Sequence, residues 1–254
     1  MDKSLLCHRE HYAINDFLRH TSNIGDGLSK WENEIISQYF HPEESTLEIG
    51  CSGGRVSFGL EKSLGFIDIT AIDFVKEFIE IATQEAENRR SMIKFQVGDV
   101  LNLNFANESF SQIICTGVVL SHLPHKHQRV KALQELYRVL KPKGKLLINV
   151  NNIISDRFYI KYVKAVVNLI RLINNPFGYE PNCIPRLSQN EKPDLFFLKN
   201  NRPQLYYYHP YKFICEILDA KIKILSVGNF LTKTKDMDPL HNLRGQWFNV
   251  VGEK

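Results

Sequence analysis

Little in this chain ties it to an oxidising compartment, a bilayer or a polyanion. Its five cysteines (Cys7, Cys51, Cys115, Cys183 and Cys215) form no close pair and no metal-type spacing. An odd, scattered set reads as reduced thiols, so the expected setting is cytoplasmic. No uninterrupted apolar run is long enough for a membrane span. Residues 1–10 hold only a brief apolar stretch before charges, so no signal peptide is read there. A net charge of +4 is small and dispersed and gives no argument for nucleic acid. Lys141, Lys143 and Lys145, like Lys221 and Lys223, flank expected strands and read as solvated edges. Internal repeats and low-complexity tracts are absent.

What is present is an ordinary globular composition, 43% hydrophobic and 24% charged over 254 residues. That length supports one domain with a large core and room for an inserted subdomain. Residues 1–44 read as helices: Tyr12, Ile14, Phe17 and Leu18 share one face, Trp31, Ile35, Ile36 and Tyr39 another, and Pro42 closes the second. Strand and helix patterns then alternate. Strands are expected over 46–49, 67–72, 93–97, 112–115 and 145–150. Helices are expected after the first strand through Leu64, over 74–82 and over 129–140, with 141–144 stopping the last. Such alternation predicts an α/β fold with a mostly parallel sheet covered on both faces. The pattern breaks after Asn151 and resumes with a helix over 210–218 and strands over 221–227 and 246–251. The expected organisation is therefore N-terminal helices (1–44), a core (45–150), an inserted lid (151–205) and the remainder of the sheet (206–254).

The chemistry gathers at the strand ends. Glu48 closes the first apolar run and is followed by Gly50-Cys51-Ser52-Gly53-Gly54-Arg55; Asp73 and Asp99 follow the next two strands. In an open parallel sheet, ligands bind beyond the carboxyl ends of the strands, where strand order reverses. Glycines let the backbone approach a ligand closely. Asp73 stands where a carboxylate bridges two ribose hydroxyls, Asp99 where an acceptor can take the exocyclic amine of adenine, and Glu48 suits an ammonium group. A dinucleotide fingerprint needs Gly-x-Gly-x-x-Gly, and the second and third of those glycines are missing here. Glu48 would also repel a pyrophosphate. The pocket calls for a phosphate-free, cationic nucleoside, which describes S-adenosylmethionine.

Five segments carry a resemblance: 47–55, 72–74, 97–100, 110–124 and 135–144. With them the chain resembles the class I S-adenosylmethionine-dependent methyltransferases, of the small-molecule type that includes the ubiquinone/menaquinone methyltransferases. The resemblance implies a Rossmann-like, doubly wound, mostly parallel seven-stranded sheet whose last strand is antiparallel. It also implies that Glu48, Gly50 and Gly54, with Ser52 in the same turn, hold the methionine end of S-adenosyl-L-methionine. Asp73 would hold the ribose, Asp99 and the Val100 backbone the adenine, Phe74 would pack on the adenine, and the backbone at Thr116 and Gly117 would line the pocket. Ser52 stands where the family most often has glycine, and fits if its φ is negative. The acceptor is expected to be a small molecule, with a protein or RNA acceptor, or a non-catalytic cofactor-binding protein, as the alternatives.

His122, beyond the fourth strand, reads either as a general base on the acceptor side or as a loop cap. His122, His125 and His127 lack a carboxylate or cysteine to complete a metal set, so no metal is expected. Cys115 reads as a buried strand cysteine rather than a nucleophile. No Asn/Asp-Pro-Pro-Tyr follows the fourth strand, which argues against amino-methylation of DNA bases or protein glutamine. Within 157–171, Arg157, Lys161, Lys164, Asn168 and Arg171 form a polar stripe on an apolar helical pattern. It reads as a lid helix with a solvated stripe, or as an interfacial helix giving peripheral contact with an anionic membrane. Tyr206, Tyr207 and Tyr208 line an acceptor pocket or pack the lid. Nothing in the sequence fixes an oligomeric state.

Overall fold

Strand β1 (Thr46–Ile49) lies near the middle of a seven-stranded sheet with the order β3-β2-β1-β4-β5-β9-β8. The computed structural model describes residues 27–154, 162, 165–169, 182–185, 204–228 and 247–254. The chain winds outward from β1 through helix α2 (Arg55–Leu64), β2 (Ile69–Asp73), helix α3 (Lys76–Arg89) and β3 (Lys94–Val97). It then returns to the other side of β1 as β4 (Phe110–Cys115). Helix α4 (Lys126–Val139) leads into β5 (Leu140–Asn151). After a short antiparallel pair, β6 (Cys183–Pro185) with β7 (Gln204–Tyr206), helix α5 (Pro210–Asp219) leads to β8 (Lys223–Gly228) and β9 (Trp247–Glu253). Strands β1 to β5 pair in parallel, and β9 runs antiparallel to both β5 and β8.

Alternation along the strands separates two cores. Leu47, Ile49, Ile113 and Ile148 meet Leu133 and Leu136 of α4 and Phe213 of α5 on one face. Ile69, Ala71, Ile114 and Leu147 meet helix α1 (Lys30–Tyr39) and α2 on the other, through Ile35, Ile36, Val56 and Leu60. Each fully buried aliphatic side chain contributes about 1.5–3 kcal/mol. The layers are therefore those of a doubly wound α/β fold. The reversal between β2-β1 and β4-β5 puts the switch point at the carboxyl ends of β1 and β4.

Three expectations shift. The fifth strand starts at Leu140 rather than at Lys145, directly after α4 ends at Val139, so residues 141–144 belong to β5. Lys143 N–H donates to the Lys254 carbonyl at 2.9 Å, and Lys254 N–H to the Gly144 carbonyl at 3.0 Å. Pairing with the chain's last residue thus draws this stretch into extended structure, with the adjustment taken up at Lys143 (φ 63). Helix α3 starts at Lys76 rather than at Phe74, because the Asp73 carboxylate holds the Val75 N–H at 2.9 Å in a turn. The β6–β7 pair was not foreseen, since three-residue strands carry no readable period. The expected first helix (Tyr12, Ile14, Phe17 and Leu18) lies outside the described residues. So do Arg157, Lys161, Lys164 and Arg171 of the polar stripe, whereas Asn168 lies in a helical stretch over 165–169. Among the described residues, no helix is long and apolar enough to cross a membrane.

Candidate functional site

The glycine turn after β1 is built by backbone hydrogen bonds to β2. Gly50 and Cys51 both donate N–H to the Ile72 carbonyl, at 2.8 and 3.0 Å. Gly50 takes φ 75, and a Cβ there would lie 2.4 Å from Val119 Cγ2, so only glycine lets the loop after β4 close over the turn. Gly54 (φ 90) starts α2 in the left-handed region. Ser52 departs from the expectation of a negative φ: it sits at φ 47. Its N–H donates to Asp73 Oδ2 at 2.9 Å, and that bond holds it in a conformation serine otherwise disfavours.

Asp73 ends β2, half-buried, with Oδ1 accepting the Val75 N–H and Oδ2 the Ser52 N–H, both at 2.9 Å. Burial pushes its carboxyl above the ordinary aspartate range, and the backbone N–H groups of Val75, Ser52 and Phe74 offset part of that. Three N–H groups still leave the carboxylate lone-pair capacity, so it is aimed and able to accept a ribose hydroxyl. Phe74 beside it is half-buried. Past β3, Asp99 accepts the Leu101 N–H at 2.9 Å through Oδ1, and its neighbour Val100 is buried. The loop is fastened from below. Leu103 N–H donates to Glu135 Oε2 at 3.0 Å, and Arg138 donates to the carbonyls of Leu103 and Phe105 at 2.8 and 2.7 Å.

Glu48 is placed differently from the two aspartates. Its carboxyl is 2% exposed and accepts the Ser57 hydroxyl of α2. Burial pushes it up to about 7; Ser57 and the Arg55 charge pull it down, while Glu32 and Asp73 push it further up. Arg55 itself pairs with Glu32 of α1, Nη2 to Oε1 at 2.7 Å and Nη1 to Oε2 at 2.8 Å, and donates to the Gly27 carbonyl at 3.0 Å. Burial alone would raise Glu32, but Arg55 and the Ser29 cap outweigh it and hold its carboxyl below the ordinary range. The start of α1 is thereby clamped at the carboxyl edge. The sequence reading missed this clamp and the Ser57 contact. Ser29 and Glu32 carry a capping-box spacing, but no local signal announces a partner 23 positions away.

Beyond β4, Thr116 is buried and Gly117 is exposed at φ 72, where a Cβ would meet nothing within 4 Å. Val118 follows at φ 58, a rare conformation for a β-branched residue. It opens the 3-10 turn η1 (Val119–His122). His122 closes that turn, half-buried, on the β4 side of the switch point. The rings of His125 and His127 stack with centroids 5.6 Å apart, and among the described residues no group of three or more His, Cys, Asp or Glu could hold a metal. Cys115 is fully buried, and burial pushes its thiol up to about 12, so it belongs to the core rather than to covalent chemistry.

Parallel pairing brings Glu48, Asp73, Asp99, Thr116 and Gly117 to one edge. The edge fits S-adenosylmethionine: Asp73 is an oriented acceptor, open glycine backbone lies beyond β4, and Arg55 at the start of α2 is committed to Glu32 rather than turned to a phosphate. Residues 46–144 match the family model described as a methyltransferase domain. A demethylmenaquinone methyltransferase of Leptospira interrogans is 28% identical over 148 residues, covering 52% of this chain and 57% of that protein. Human probable tRNA methyltransferase 9B is 33% identical over 151 residues, 56% of this chain and 31% of that one. The chain thus spans about half or less of the length of these curated relatives. In fold, a SAM-dependent methyltransferase from Methanosarcina mazei superposes with a TM-score of 0.64 at 19% identity, over 90% of this chain and 98% of that one. Strand order, acidic strand ends and family match agree: residues 46–144 are similar to a methyltransferase domain, and the sheet is the one that the S-adenosylmethionine-dependent methyltransferase from Methanosarcina mazei shares.

Proposed function

We propose that this protein transfers the methyl group of S-adenosylmethionine to a small-molecule acceptor held beyond β4 and β5. The observation that carries the reading is the Asp73 carboxylate, fixed by the Ser52 and Val75 N–H groups and turned to the switch point. Asp73 binds the ribose, Asp99 and the Val100 backbone the adenine, and Glu48 with the glycine turn the methionine end. Bound there, S-adenosylmethionine supplies a methyl already activated by its sulfonium for in-line displacement. The chain's own share is alignment and exclusion of water, which for well-oriented reactants is worth very large effective molarities. The half-buried His122 is the residue we assign to accept a proton where the acceptor must lose one early. Resemblance to demethylmenaquinone methyltransferases supports a small acceptor; the 33% identity to a probable tRNA methyltransferase supports an RNA acceptor as the second reading.

The test is calorimetric titration with S-adenosylhomocysteine, followed by transfer of labelled methyl into a small-molecule extract and, separately, into total RNA. Saturable binding with label in the extract is expected. Label in RNA alone selects the second reading, and no binding overturns both.

A further inference from the structure

Three buried asparagines take no part in the cofactor site: Asn149 and Asn151 among the last residues of β5, and Asn249 on β9. Asn149 and Asn249 are directly opposed on β5 and β9, and Asn149 Nδ2 donates to Asn249 Oδ1 at 2.7 Å. That bond leaves Asn249 Nδ2 with no acceptor, although the residue is 1% exposed. Inverting both amides leaves one NH2 unmet all the same. Asn151, two residues further along β5 on the same face and 5% exposed, also has a buried Nδ2 with no acceptor. Buried amides without partners are rare in folded proteins and each calls for a cause.

Their position suggests one. Cys115, the last residue of β4, is level with Ile148, so Asn149 and Asn151 lie one strand beyond the switch point and past its edge. The Asn151 backbone is fixed there by the Ser121 hydroxyl, which accepts its N–H at 3.0 Å from within η1. Opposite Asn151 stands the half-buried Trp247, and next to Asn249 on β8 stands Gly228, with no side chain. Cross-strand partners share a face. The patch therefore joins one aromatic surface to two dry hydrogen-bond donors.

We infer that Asn151 and Asn249, beside Trp247, form the recognition site for a planar methyl acceptor bearing a hydrogen-bond-accepting oxygen. Donor groups select a carbonyl, hydroxyl or phenolate oxygen and reject an ammonium. The inference deepens the proposed function and rests on it for the word acceptor; the binding site itself does not.

The probes are acetophenone, ethylbenzene (a similar ring with no oxygen) and benzylamine, titrated by ligand-observed NMR with and without S-adenosylhomocysteine. Acetophenone should bind best, and Asn151→Leu should weaken it roughly fivefold while leaving ethylbenzene unchanged. Because Asn151 Nδ2 has no acceptor, Asn151→Leu should also keep or raise the melting temperature, by about 2–4 °C. A purely structural asparagine would give a fall instead. Asn249→Ser, which keeps a small polar group, repeats the test should the leucine variant fail to fold. Equal binding of acetophenone and ethylbenzene, or acetophenone binding unmoved by both variants, overturns the inference. Failure of S-adenosylhomocysteine to bind counts against the methyltransferase reading alone, since the acetophenone titration stands without it.

Discussion

Ser52 N–H donates to Asp73 Oδ2 at 2.9 Å, so the glycine turn after β1 and the carboxylate at the end of β2 are one unit. Asp73→Ala therefore removes two things: the carboxylate proposed to accept the ribose hydroxyls and the anchor of the turn. Charge-assisted hydrogen bonds contribute about 1.5–3 kcal/mol each, so S-adenosylhomocysteine affinity should fall roughly a hundredfold. Asp73→Asn retains one acceptor oxygen and should lose less. Calorimetry on both variants checks the order; undiminished binding by Asp73→Ala removes the residue from the site.

The same bond explains why Ser52 tolerates φ 47. A left-handed residue with a Cβ is strained by about 1–2 kcal/mol relative to glycine. Ser52→Gly should stabilise the fold by about 1 kcal/mol at most, since glycine loses more freedom on folding, and should leave cofactor affinity intact. Ser52→Val should destabilise it. Chemical denaturation of the two variants measures the difference, and a stable valine variant would contradict the strained geometry.

Much of this is legible in the sequence. Strand and helix patterns alternate between Thr46 and Val150, which puts Glu48, Asp73 and Asp99 at strand ends. The end of helix α2 at Leu64 is readable, since Gly65 follows it at positive φ. Boundaries failed where tertiary pairing overrode local signals, as at Lys141 to Gly144, which the last residue of the chain draws into β5. The site showed the same division. Residue type and spacing named the aspartates, whereas the sign of φ at Ser52 depends on a carboxylate 21 positions away. Ser57 under Glu48 and Arg55 against Glu32 were invisible for the same reason: each is a contact between elements.

Glu48 makes the fold's stability depend on pH. Burial raises its carboxyl from 4.5 to about 7. Between those values the folded protein binds more protons than the unfolded chain, so this group's contribution is greatest below pH 4.5 and is lost as pH rises towards and through 7. The full span corresponds to about 3 kcal/mol as an order of magnitude. Glu48→Gln keeps an acceptor for the Ser57 hydroxyl without a charge to bury. It should therefore be more stable than the parent at pH 8 and show a flatter profile from pH 5 to 8. Urea denaturation at several pH values measures both, and parallel profiles would refute the assignment.

Arg55 and Glu32 form a fork-to-fork pair, with Glu32 2% and Arg55 26% exposed. Removing one partner of a buried pair leaves an uncompensated charge, at a cost of about 3–5 kcal/mol, whereas removing both is much milder. Arg55→Met should thus destabilise more than Arg55→Met combined with Glu32→Leu. Because Arg55 also holds the Gly27 carbonyl at the edge, both variants should weaken S-adenosylhomocysteine binding by a similar factor. A double-mutant cycle on stability, run beside calorimetry, separates the two effects. Additive stabilities would mean that the pair is not coupled.

Val118 is the sharpest conflict between local preference and structure. A β-branched residue at φ 58 sits in a strained region, and strain persists only where surrounding contacts over-determine it. Here the contact is one residue on: Val119 Cγ2 fills the space that a Cβ on Gly50 would need. Turning the backbone at Val118 presses Val119 onto the glycine turn and frames the loop that carries Gly117 and His122. Val118→Gly relieves about 1–2 kcal/mol of strain in the folded state but frees the unfolded chain, so net stability should change little. Methyl transfer should nonetheless fall, because the loop no longer has a single preferred course over the cofactor. The informative measurement is the split between kcat and the affinity for S-adenosylhomocysteine. A loss confined to kcat places the strain in alignment of the acceptor, whereas an equal loss in both assigns it to holding the cofactor. Unchanged turnover would show that the conformation at Val118 contributes to neither.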